Sequence, residues 1–303
     1  MLSAAQHEAV TSEAARPLQI LAGPGSGKTR VLTSRVAHLV RDSAAPIAPE
    51  RCVVVTFTNR AANEMRARLE TMIGADRTRR LVLGTFHAVC VRFLRRWGTR
   101  LGLDPRFTIA DTDDARRLLR DVDRDAPVDA TLAAISRAKA HGWTPDELRA
   151  SAQHAPGSPA HTEHLALCRT YAAYQQQLRT SHALDFDDLL LLGVRLFREH
   201  PELTSHIDHV LVDEFQDTNA VQYELLRRLS RHVSVVGDPD QSIYSWRHAD
   251  VRHIERMHLD FPGLHRVLLE ENYRSTPQIL EAALRVMQQD PHRLPKGLYT
   301  CLS

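Results

Sequence analysis

Five short apolar runs punctuate the chain, at residues 18–22, 52–56, 81–85, 210–213 and 233–238. Each is rich in Val, Ile or Leu and closes on a small, polar or charged residue. A strand covered on both faces reads this way, whereas a half-exposed strand alternates. Behind the first run, Val31, Leu32, Val36, Leu39 and Val40 recur at the spacing of one helix face. Strand, helix, strand predicts an α/β layer with a parallel sheet, whose ligands gather at the carboxyl ends of the strands. The middle differs. From about Val89 to about Ser205 no comparable strand run occurs, and residues 114–119 and 165–178 read as amphipathic helices. Pro156-Gly157-Ser158-Pro159 reads as a loop. The pattern therefore predicts an α/β core with a helical subdomain inserted into it.

Length and composition narrow this picture. A chain of 303 residues fits about two domains, and 43% hydrophobic with 25% charged residues argues for globular folding over long disorder. The net charge is only +2, so a nucleic-acid surface has to come from local clusters such as Arg77, Arg79 and Arg80, or Arg92, Arg95 and Arg96. Each cluster alone reads more readily as a solvated helix face. Cys52, Cys90, Cys168 and Cys301 form no C-x-x-C pair, which speaks against a zinc site or a disulfide framework. The first residues lack the features of a signal peptide and no apolar run is long enough to span a bilayer, so a soluble intracellular chain is expected.

The residues that carry chemistry follow the apolar runs. After the first comes Ala22-Gly23-Pro24-Gly25-Ser26-Gly27-Lys28-Thr29. A phosphate needs converging backbone N–H groups with no Cβ in the way, and a helix N-terminus behind them. Lys28 then reaches the β/γ-phosphates of ATP and the Thr29 hydroxyl holds Mg²⁺. Ala22 stands where the strict phosphate-loop pattern has glycine. The fourth run ends in Asp213-Glu214, where Asp213 suits Mg²⁺ through water and Glu214 suits activation of a water. After the fifth run comes Gly237 to Arg247. Gln241 there can sense a γ-phosphate, and Tyr244, Trp246 and Arg247 interleave rings with a cation, as in stacking on unpaired bases. By composition alone, the same rings read as buried aromatics.

Eight blocks occur in order: Leu2 to Gln6, the Gly-Ser-Gly-Lys-Thr loop, residues 55–65, Gly84-Thr85-Phe86-His87, residues 184–190, Asp213 to Asn219, Gly237 to Arg247, and Asn272-Tyr273-Arg274-Ser275. Together they resemble the UvrD/Rep/PcrA group of superfamily 1 DNA helicases over essentially the whole chain. The resemblance implies a RecA-like ATP-binding domain (1A) over residues 1–88 and 206–270. It implies the helical subdomain 1B over 89–205, and the beginning of a second RecA-like domain (2A) over 271–303. It implies that Gln6 reads adenine, that Arg30 and Tyr273 bracket the ring, and that Gln241 couples ATP to DNA. Arg274 resembles an arginine finger. Phe57, Asn59, Thr85, His87, Tyr244, Trp246 and Arg247 fall where the family lines its single-strand track. The implied activity is ATP-driven movement along single-stranded DNA, 3′ to 5′, acting at single–double-strand junctions with repair or recombination partners. Within the group, Glu270 to Ser275 and the Gln288 to Lys296 stretch resemble fungal anti-recombination helicases more than bacterial enzymes, which would imply a nucleus.

Nothing after Arg274 resembles the later family motifs. We therefore expect the chain by itself to unwind little duplex, and Leu280, Ala283, Leu284 and Met287 to be exposed. Two other readings stand beside the helicase. One is a module that binds ATP and DNA with poor turnover. The other is the helicase subunit of a recombination nuclease, although no nuclease carboxylate cluster is visible.

Overall fold

A computed structural model of the protein describes residues 2–151, 157–230, 232–243, 248–289 and 297–302. The chain begins α1 (Ala4–Thr11), β1 (Leu18–Ala22), α2 (Lys28–Ala37), β2 (Cys52–Thr56), α3 (Asn59–Ile73), α4 (Ala75–Arg80), β3 (Val82–Thr85) and α5 (Phe86–Trp97). Next come β4 (Thr108–Ile109), α6 (Thr112–Val122), α7 (Val128–Ala140), α8 (Pro145–Ala150), α9 (Pro159–Thr180), β5 (Ala183–Leu184) and α10 (Phe186–Glu199). It continues with β6 (His209–Val212), α11 (Ala220–Leu229), β7 (Val233–Gly237), α12 (Arg252–Asp260), β8 (His265–Leu269), β9 (Glu271–Asn272), α13 (Pro277–Met287) and β10 (Tyr299–Thr300). Two compact units result: Met1–Val89, Glu202–Thr218 and Leu226–Ser303 form one, and Cys90–Pro201 with Asn219–Leu225 form the other.

The first unit is built on a six-stranded sheet in the order β3-β2-β6-β7-β1-β8, with every neighbouring pair parallel. The five apolar runs are β2, β3, β6, β7 and β1, and their residues are buried almost throughout, as two-sided coverage requires. Ala9, Leu32, Val36, Met65 and Leu69 from α1, α2 and α3 pack into one core with Ile20 and Val54 of the sheet. β8 was not among the predicted strands. It lies at the sheet edge, where Val267 and Leu269 are buried while Arg266 and Leu268 are exposed, so it has no continuous apolar run to read.

At the end of this unit β9 pairs with β10 and α13 lies against β10. Leu280 is buried, contrary to the expectation of an open apolar face. Ala283 is exposed, Leu284 and Met287 are half-buried, and the large exposed side chains of α13 are Ile279 and Val286.

The second unit is helical, with Leu119, Ile135, Tyr171, Tyr174 and Leu178 in its core. It also contains a strand pair the sequence did not suggest: β4 and β5 join in parallel, each two residues long and so too short to leave a pattern. Pro159 is the first residue of α9, not part of a loop, because Ser158 caps that helix and proline costs nothing at its first position. Pro156 lies outside the described residues. The Lys139 ammonium is wholly buried, 2.6 Å from Asp185 and 2.8 Å from Asp188, with the rings of Tyr171 and Tyr174 beside it. Burial pushes this ammonium down, and the two carboxylates more than offset that, so it stays charged.

Removing one partner of such a cluster strands the others. Lys139→Ala is expected to cost about 3–5 kcal/mol near neutral pH, with a smaller loss at lower pH, where Asp188, already pushed up by burial, takes up a proton. Urea melts at both pH values check this, and a pH-independent loss below about 1 kcal/mol would contradict it.

Candidate active site

The site starts at the end of β1. Ala22 is buried as the last residue of that strand, opposite Leu269. The loop then turns back on itself, with the Ser26 hydroxyl donating to the Gly23 carbonyl at 2.7 Å. Gly25 and Gly27 take φ of +68° and +83°, which L side chains resist. A Cβ on Gly25 would also meet Arg274 Cβ at 2.7 Å. Gly27 caps α2 without any side-chain cap bond, so the free amides of the first turn remain for an anion, with Lys28 and Thr29 half-buried beside them. This is the cradle that a triphosphate fits.

Two other segments close on the loop. Ser3 and Gln6 form a reciprocal capping box that starts α1. The Gln6 side chain is buried, and its Nε2 donates to the Ser26 carbonyl at 3.0 Å while its Oε1 accepts from the Ser3 amide at 3.1 Å. From the other side, the Tyr273 amide donates to Gly25 O at 2.9 Å, and Asn272 Nδ2 donates to Pro24 O at 2.6 Å. Asn272 Oδ1 also accepts from the Arg274 and Ser275 amides, forming an Asx turn that presents Tyr273 and Arg274, both exposed, next to the loop. Arg30 is exposed on the first turn of α2.

The carboxylates stand two strands away. Asp213 follows β6, and its amide donates to Val55 O at 2.9 Å. Its side chain is buried, and burial with the neighbouring Glu214 pushes its carboxyl up to about 7, against the pull of Lys28 and Arg68. Glu214 adopts a left-handed backbone at φ +48°, an uncommon state for this residue and a frequent one for residues at work. Asp217 is likewise pushed up, to about 6, by burial and by Glu214. Gln216, to which the sequence assigned no role, ties the region together. Its Nε2 donates to Glu214 Oε2 at 2.8 Å, and its Oε1 accepts from the Asp238 amide at 3.0 Å. Asp238 in turn accepts from Gln241 Nε2. A side chain at Gly237 would meet Gln216 Oε1 at 2.7 Å, which explains the glycine there.

Sheet order does the rest. β7 lies between β6 and β1, so Gln241 falls between the carboxylates and the phosphate loop. Phe57, Asn59, Thr85 and His87 gather at the ends of the adjacent strands β2 and β3, where Thr56 pairs with Thr85. There Phe57, Thr85 and His87 are half-buried and Asn59 is exposed, and burial lowers the His87 imidazole. Tyr244, Trp246 and Arg247 lie outside the described residues. Among the described residues, no helix is long and apolar enough to cross a membrane, and no group of three His, Cys, Asp or Glu side chains forms a metal cage. Mg²⁺ does not need such a cage, since one carboxylate and substrate phosphates suffice.

With this geometry the chain belongs to the UvrD/REP helicase N-terminal domain family, whose model matches residues 2–262. It is therefore of the UvrD/Rep/PcrA type, in keeping with the eight ordered blocks. It is 42% identical over 298 residues to the ATP-dependent DNA helicase PcrA of Leuconostoc citreum, covering 94% of this chain and 39% of that protein. It is 40% identical over 317 residues to the PcrA of Staphylococcus epidermidis, covering 100% of this chain and 42% of that protein. A PcrA of Staphylococcus aureus gives 40% over 310 residues. The chain thus spans about two fifths of the length of these relatives. They are bacterial and lend no support to a fungal affinity.

Asp213 provides a test. Its carboxyl is raised above the usual value, so its ionisation costs stability as pH rises from about 4 toward about 7. Asp213→Asn is expected to raise the stability of the ligand-free chain at pH 8 by on the order of 2 kcal/mol, with a smaller gain at pH 5, while weakening Mg²⁺-dependent nucleotide binding. Thermal melts at the two pH values check it. An unchanged or lower stability at pH 8 would overturn the electrostatic picture.

Proposed function

We propose that this chain is the nucleotide-binding part of an ATP-dependent DNA helicase that moves along single-stranded DNA in the 3′ to 5′ direction. The observation that carries the reading is the convergence of three loops on neighbouring strand ends: the phosphate loop after β1, Gln241 after β7, and Asp213 and Glu214 after β6. Lys28 opposes part of the rise that burial and Glu214 impose on the Asp213 and Asp217 carboxyls.

In this reading the amides of residues 23–29 and the start of α2 bind the β- and γ-phosphates, and Lys28 balances their charge. Thr29 and Asp213 would hold Mg²⁺, which would supply positive charge at the phosphate oxygens. Glu214 orients the attacking water and takes its proton. Gln241, tied to Glu214 through Gln216 and Asp238, registers the γ-phosphate. Arg274 offsets charge developing on the transferred phosphoryl group. Gln6 reads the base. One donor and one acceptor of its amide remain free, which match the N6 donor and N7 acceptor of adenine and mismatch guanine, where both atoms accept. Arg30 and Tyr273 bracket the ring. Phe57, Asn59, Thr85 and His87, with Tyr244, Trp246 and Arg247, line the strand track. Single strands and their junctions with duplex are the partners, in repair and recombination, and the bacterial relatives favour the cytoplasm over a nucleus.

Phosphate release measured with and without single-stranded DNA tests this. Turnover stimulated by DNA is expected, and Lys28→Ala should lower it by on the order of 10²-fold or more. Turnover indifferent to Lys28→Ala would sink the reading. Nucleotide binding through Lys28 without turnover would favour the binding module instead.

A further inference from the structure

Arg35 sits in the last turn of α2, two helical turns from Lys28, and is completely buried. A buried guanidinium normally faces a carboxylate. Here its Nε donates to the Ser234 hydroxyl of β7 at 2.7 Å. Its Nη1 donates to the carbonyls of Ala9, Val10 and Ser12, at 3.2, 3.2 and 2.9 Å. These are carbonyls at the C-terminal end of α1, the groups a helix leaves without internal partners. α1 is thus tied at both ends. Gln6 bonds Ser26 beside the start of α2, and Arg35 grips the far end from the last turn of α2.

The two ties do something that packing does not. Ala9 and Val10 seat α1 in the core, but small apolar side chains attract without direction and fix a helix poorly along its own axis. Hydrogen bonds are directional and do fix it. The Gln6 amide selects a base only if its free donor and acceptor are held within about half an ångström of their hydrogen-bonding positions. We propose that Arg35 is a positioning residue for base recognition, fixing the axial position of α1 and thereby holding the Gln6 amide where it selects adenine over guanine. The proposal rests on the reading of Gln6 as the base reader.

The experiment compares equilibrium binding of ATP, GTP and inorganic tripolyphosphate to the chain and to Gln6→Ala, Arg35→Met and Arg35→Lys, with a thermal melt of each. Gln6→Ala should cut the ATP-over-GTP ratio by about tenfold, the worth of one good hydrogen bond. Arg35→Met should lose most of the same ratio, and Arg35→Lys part of it, since a compact ammonium serves fewer of the carbonyls. Tripolyphosphate affinity should hold within about twofold, because the phosphate cradle is not touched. A lower melting temperature with an unchanged ratio in both Arg35 variants would overturn the proposal and leave Arg35 as a structural residue. An unchanged ratio in Gln6→Ala would instead bring down the base reading itself, and the proposal with it. Should Arg35→Met not fold, the ratio measured for Arg35→Lys decides.

Discussion

A parallel strand buried on both faces has only one way to meet a ligand, which is at its end. Each strand of the main sheet returns to the same edge through a crossover, so every carboxyl end lies on one side. This single constraint gives the protein its site. The order β6-β7-β1 sets the loop after Ala22 beside the loops that follow Val212 and Gly237, far along the chain from it. The loops are free to carry glycine, carboxylate and amide because the strands beneath them carry the stability. Val53, Val54, Val210, Val212 and Val235 have at most 1% exposure, and a frame this well buried tolerates local cost at its rim.

That cost is visible in two places, and they contrast. In the helical unit, Lys139 answers Asp185 and Asp188 with direct ion pairs, and the buried charge is satisfied within the fold. At the rim of the sheet, Asp213 and Glu214 crowd together, Asp213 is raised to about 7, and Glu214 holds a left-handed backbone. No ion pair of comparable closeness relieves Asp213 among the described residues. A cluster that is complete in itself has no use for a ligand, whereas a pair of acids left under mutual repulsion favours the arrival of positive charge.

Much of this was legible in the sequence, for identifiable reasons. β1, β2, β3, β6 and β7 were readable because two-sided burial leaves unbroken apolar runs. The phosphate loop was readable because its glycines answer a local backbone demand. β8 was not, since an edge strand with Arg266 and Leu268 outward alternates over only five residues. The two-residue strands β4 and β5 were beyond any periodicity. Leu280 was expected to be open because the β9–β10 pair at this end of the unit depends on a contact between Glu271 and Tyr299 that no local pattern announces. Gln216, Asn272 and Arg35 were missed for the same reason. Gln216 reaches Asp238 and Asn272 reaches Pro24 across long stretches of chain, and what makes them matter is a partner, not a spacing.

The same long-range bonds bear on how the phosphate loop and the ends of β2 and β3 are joined. The four described strand-track candidates stand at the ends of β2 and β3, apart from the phosphate loop on β1. Between them runs β6, whose Asp213 amide bonds Val55 of β2, two residues before Phe57. On its other side, Glu214 connects through Gln216 to Asp238 at the end of β7. The acidic turn after β6 is therefore fastened to both neighbours by backbone or amide bonds that have little slack. A turn whose two sides are bonded to different loops ties those loops together without any moving wire through the core. The left-handed backbone at Glu214 is where that turn stores its strain.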